Sequence, residues 1–142
     1  MARRVTAARR YADAAFEIGR AAGTLDAWER DLAALEATLQ HPRLRRLMEH
    51  PAVPYAEKER VLRRVAGDAL EPGTVSLMLL MIRRGRPGAI APMVTRFGEL
   101  LRRERGIALA QVRTALPIDE EQRIAITARL EARTGERIEM EE

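Results

Sequence analysis

Two histidines, one serine and a scatter of carboxylates are the side chains here that could carry acid–base, nucleophilic or metal chemistry. His41 and His50 each stand beside a proline, and neither falls at a spacing from another His, Asp or Glu that builds a metal site. Ser76 lies in an apolar run with no base to activate it. Gly85 and Gly88 lack the lysine and the strand context of a phosphate-cradling loop. The carboxylates interleave with arginines at helical spacing, as on a solvated face, not as catalytic pairs. With no cysteine, disulfides, thiolate metal sites and a Cys nucleophile are excluded. The expectation is a protein without catalysis, cofactor or metal.

Binding is then the function to look for. The net charge is +4, with 24 Arg against a single lysine, Lys58. Residues 1–105 carry net +7 and residues 106–142 net −3, which suggests two modules with different surroundings. Arg3-Arg4, Arg9-Arg10, Arg43-Arg45-Arg46, Arg83-Arg84-Arg86 and Arg102-Arg103-Arg105 could meet phosphates. They are spread over several elements, however, and the five aromatics fall mostly on core stripes instead of among the basic groups where bases would stack. A basic helical nucleic-acid binder, or a helical scaffold for some other partner, is the alternative reading. No window approaches the ~20 apolar residues of a membrane span. The basic N-terminus leads straight into a helix with Asp13 and Glu17, and is read as mature sequence.

The elements that would present a binding surface follow from periodicity. From Thr6 to Ala22 the polar residues Arg9, Arg10, Asp13, Glu17 and Arg20 crowd into one arc. The apolar remainder spans roughly 220°, about twice the stripe a core-facing helix needs. Such a helix is either central to its bundle or offers one side to a partner. A second helix, Leu25 to Gln40, carries Trp28, Leu32, Leu35 and Leu39 on one stripe. A short helix with Leu44, Leu47 and Met48 follows, then Tyr55 to Ala66 with Val61, Leu62 and Val65 inward. Thr74 is a candidate N-cap for a fifth helix that is apolar on two sides. One side has Leu77, Leu80, Met81 and Arg84; the other has Val75, Met78, Leu79 and Ile82. A sixth helix to about Glu104 presents Ile90, Met93, Val94, Phe97, Leu100 and Leu101.

At Gly106 the period changes to two. Ile107 to Ala115 alternates as a strand, Asp119 with Gln122 forms a capping-box-like helix start, Gly135 ends that helix, and Ile138 and Met140 mark a second short strand. Two strands and one helix leave open edges and little core. The expected fold is mainly α, a six-helix bundle over 1–105 followed by a small, apparently incomplete α/β module over 106–142.

Ala8 to Phe16 (ARRYADAAF), Trp28, Arg84-Gly85-Arg86 with Ile90, Met93 and Phe97, then Arg105 to Ala108 and Val112 to Pro117, together with Gln122, Leu130, Thr134-Gly135 and Ile138, resemble the delta subunit of bacterial F-type ATP synthase, a relative of the mitochondrial oligomycin-sensitivity-conferring protein. Pro87 departs from the leucine-like residue of that pattern. The resemblance implies a non-catalytic stator subunit, peripheral on the cytoplasmic face of the cell membrane. It implies two partners: the N-terminal helix of an alpha subunit of the catalytic head, and the b-type helices of the peripheral stalk. It implies no small-molecule substrate and no nucleic acid, with the membrane reached only through the complex. The alpha-subunit helix would lie in a groove between the first and fifth helices, on Tyr11, Ala14, Ala15 and Ile18 and on Leu77, Leu80, Met81 and Arg84.

Overall fold

Tryptophan 28 is the side chain around which the helical part is built. A computed structural model describes residues 2–141, with side chains from Val5 to Glu141; the side chains of Arg3 and Arg4, one of the basic pairs above, lie outside the described residues. The helices are α1 (Ala2–Ala22), α2 (Leu25–Leu39), α3 (Pro42–Glu49), α4 (Tyr55–Ala66), α5 (Pro72–Arg83) and α6 (Ile90–Glu104), with a 3-10 turn at Pro87–Ala89 before the last. They are followed by β1 (Ile107–Gln111), α7 (Glu120–Thr134) and β2 (Arg137–Glu141). The protein is thus mainly α with a small α/β part. It divides into two compact units, residues 1–100 and 101–142.

In the first unit the stripe Trp28, Leu32, Leu35 and Leu39 is buried, as its i, i+4, i+7, i+11 spacing requires. Phe97 of α6 stacks on Trp28 at 6.4 Å between ring centroids and meets Phe16 of α1 edge-on at 6.0 Å. Two glycines let α1 and α5 close on the indole. A Cβ on Gly19 would stand 3.0 Å from Trp28 Cδ1, and one on Gly73 only 2.5 Å from Trp28 Cζ2. A carboxylate joins this apolar set. Asp31, fully buried, accepts the backbone N–H of Glu71 at 2.6 Å and so ties α2 to the start of α5. Its other oxygen accepts from Arg30 Nε at 3.0 Å.

Three local expectations need correction. Thr74 is not the N-cap of α5. The N-cap is Glu71, three residues earlier, because Pro72 is preorganised for a first helical turn, and the Thr74 hydroxyl donates instead to Glu71 O at 2.6 Å. Val65, expected inward, is 44% exposed, because only Leu62 of its helix reaches the interior fully. The first strand ends at Gln111, although the Val112 N–H still reaches Glu141 O at 3.0 Å.

In the second unit β1 and β2 pair in parallel, with Ala108 opposite Ile138 and Ala110 opposite Met140. Ile138 is buried and α7 packs on β2. The Ile138 N–H donates to Glu131 Oε1 of α7 at 3.0 Å, which satisfies a donor that a two-stranded sheet would leave open. The capping box of α7 forms as read: Gln122 N–H donates to Asp119 Oδ1 at 2.8 Å and Asp119 N–H to Gln122 Oε1 at 3.2 Å. Gly135 ends the helix with φ +72°, a left-handed conformation that suits glycine.

Candidate partner-binding surface

Neighbouring helices α1 and α5 each bury one face and leave a second apolar face uncovered. On α1 the buried side is Ala8, Ala12, Ala15, Phe16 and Gly19, and the charged residues lie opposite. Tyr11, Ala14 and Ile18 occupy a flank between the two, at i, i+3 and i+7. Tyr11 is half-buried, Ala14 is exposed, and Ile18 is 58% exposed. Ala15 is fully buried, so it backs the surface from inside and is out of a partner's reach.

On α5 the ambiguity between two apolar sides is resolved. Val75, Met78, Leu79 and Ile82 face the interior. Met81, grouped with the opposite side on the helical wheel, is also fully buried. That leaves Leu77, Leu80 and Arg84 as the outward line. Leu77 is half-buried, Leu80 is 41% exposed, and Arg84 is exposed at the C-terminal cap of α5. Six of the eight residues proposed for a groove are therefore at the surface, on two adjacent helices, and two are in the core beneath. What they offer is apolar area with a small residue, Ala14, where another backbone can come close. Arg84 adds a positive charge that is without an ion-pair partner among the described residues.

The residues that first suggested chemistry lie at helix ends or on a helix surface. His41 precedes α3 and His50 follows it, and His50 Nδ1 accepts the Ala52 N–H at 3.2 Å. Ser76 is exposed on α5. Among the described residues no group of three or more His, Asp or Glu is arranged to hold a metal ion. Many arginines are engaged along their own helices, as in Arg45–Glu49 at 3.2 Å, Arg63–Glu59 at 2.8 Å and Arg96–Glu99 at 2.8 Å. The Arg60 guanidinium is held above its ordinary range by its hydrogen bond to Glu57, reinforced by that carboxylate's charge. These pairs compete with phosphate for the same donors.

Asp31 is the structural residue that the sequence reading passed over. It stands three residues after Trp28 and four before Leu35, on the apolar stripe itself. A carboxylate in that position signals a buried acceptor with a dedicated donor.

Comparison with known proteins gives one consistent result. Residues 7–142 match the family model described as ATP synthase delta (OSCP) subunit. ATP synthase subunit delta of Salinibacter ruber is 34% identical over 136 residues, covering 95% of this chain and 72% of the relative. The subunit of the same name from Heliobacterium modesticaldum is 36% identical, with 92% and 71% covered, and that from Methylobacillus flagellatus 30%, with 98% and 78% covered.

Proposed function

Because this chain belongs to the ATP synthase delta (OSCP) subunit family, we propose that it works as a stator adaptor, joining the top of the catalytic head to the peripheral stalk without chemistry of its own. The bundle, taken as residues 1–105, receives the N-terminal helix of an alpha subunit. The α/β module, residues 106–142, engages the b-type helices of the stalk. Held at two points, the head resists rotor torque during proton-driven ATP synthesis. The protein sits at the cytoplasmic face of the membrane through its partners; no helix among the described residues is long and apolar enough to cross a bilayer.

The observation that supports this reading is the paired uncovered apolar flank on α1 and α5. An amphipathic guest helix laid on Tyr11, Ala14 and Ile18 of one wall and Leu77 and Leu80 of the other would remove from water the area that the bundle leaves exposed. Arg84 would favour an acidic side chain on the guest at that end. An adaptor must hold both partners at once. Purified alpha–beta head and the soluble part of the stalk b subunit, mixed with this protein, are expected to elute together from a size-exclusion column as one complex. Co-elution with the head alone would overturn the stalk half of the proposal, and co-elution with neither would overturn it entirely.

A further inference from the structure

A second feature of the bundle is a cationic cleft beyond the C-terminal end of α5. A cavity of ≈ 730 Å³ opens between α3, α4 and the turn that follows α5. Arg45, Lys58 and Arg86 line it, and the one acid among its lining residues is Glu49. Glu49 is already taken by Arg45, at 3.2 Å. Lys58, the single lysine of the sequence, is half-buried here. Its sequence neighbours do not neutralise it. Glu57 is bound by Arg60 at 2.7 Å and Glu59 by Arg63 at 2.8 Å, each one helical turn on. Among the described residues neither Lys58 nor Arg86 has an ion pair. Met48 and Ile82 give the cleft apolar wall as well.

Half-buried Lys58 and exposed Arg86 present positive charge to the cleft with no counter-charge, and a bound anion would supply one. Two unpaired cations plus an arginine shared with a carboxylate leave a net charge of about +2 for a ligand to meet. Guanidinium groups match the geometry of phosphate oxygens in bidentate contact, and an ammonium adds a point charge. A volume of this size falls within the range of small-molecule pockets, about 300–1,000 Å³. We propose that this cleft binds a small polyphosphate group, with Lys58 and Arg86 as its principal contacts. The proposal does not depend on the stator reading.

Isothermal titration of the full chain at low ionic strength tests it, with pyrophosphate, ATP and a glutamate hexapeptide as probes. Pyrophosphate and ATP are expected to bind saturably with Kd below about 1 mM. Lys58→Gln and Arg86→Gln should each weaken binding about tenfold, the scale of one charge-assisted hydrogen bond. Arg64→Gln, on the same helix but outside the cleft lining, should leave it unchanged. Circular dichroism checks that each variant is folded, and two independent variants keep the question decidable if one is not. ATP binding tighter than pyrophosphate would support the site and assign the apolar wall to a nucleoside; equal binding would support a site that reads the phosphates alone. No saturable binding, equal loss in Arg64→Gln, or hexapeptide binding as tight as pyrophosphate would overturn the proposal.

Discussion

Replacing Asp31 by alanine probes the link on which the α1–α5 surface depends, because this carboxylate ties α2 to the start of α5. The side chain is fully buried, and one oxygen accepts the Glu71 N–H at 2.6 Å. Removing it strands that donor in a partly buried site, at a cost of about 1–3 kcal/mol, with the upper half expected because the acceptor is charged. The Arg30 contact adds little, since the Arg30 side chain is 70% exposed. The expected total is about 2–3 kcal/mol. For a cooperative unit of about 100 residues that lowers Tm by roughly 8–15 °C. Asp31→Asn keeps an acceptor oxygen and should lose about half as much. Thermal and urea unfolding followed by circular dichroism give both numbers. A loss under about 0.5 kcal/mol in Asp31→Ala would refute the reasoning, because the Glu71 N–H would then have found water or another acceptor at no cost.

Other expectations follow from the same packing. Gly73→Ala puts a methyl group 2.5 Å from the Trp28 ring, so α5 or the indole must move; a loss of about 1–3 kcal/mol and a shifted Trp28 fluorescence maximum are expected. Phe97→Ala removes the ring that meets both Phe16 and Trp28, and should cost about 3–5 kcal/mol by denaturant titration. Asp119→Ala deletes one half of the α7 capping box and should weaken that helix by about 1 kcal/mol, visible as faster amide exchange in its first turn.

Local patterns were legible where one face is apolar and the other is not. The stripe through Trp28, the Asp119–Gln122 cap and the Gly135 stop could all be read from spacing, since each is decided by residues within a few positions of one another. Helix α5 could not be oriented that way. Both of its sides are apolar, so only its packing against α1, α2 and α4 selects Val75, Met78, Leu79 and Ile82 as the inner face and draws Met81 in with them. The same limit explains the candidate surface. The over-wide apolar arc of α1 pointed to excess area, and the resemblance assigned Ile18 and Ala15 to it; that Ile18 is exposed while Ala15 is buried is a tertiary result. Asp31 and the two glycines against Trp28 were missed because their roles depend on partners 40 or more residues away, or on α1 and α2 closing on each other.

The central claim is that the uncovered flanks of α1 and α5 receive a helix. A calorimetric titration of this protein with a synthetic peptide of the alpha subunit's N-terminal segment tests it most directly, repeated with Ile18→Asp and with Leu80→Asp. Both positions are exposed in the free protein, at 58% and 41%, so the substitutions should leave the bundle folded. Covering a carboxylate there, and losing the apolar area, should weaken binding by about 2–4 kcal/mol, roughly 30- to 1,000-fold. Saturable binding by the unaltered chain and that loss in both variants is the predicted result; no binding by the unaltered chain, or affinity in both variants within about twofold of its value, would contradict it.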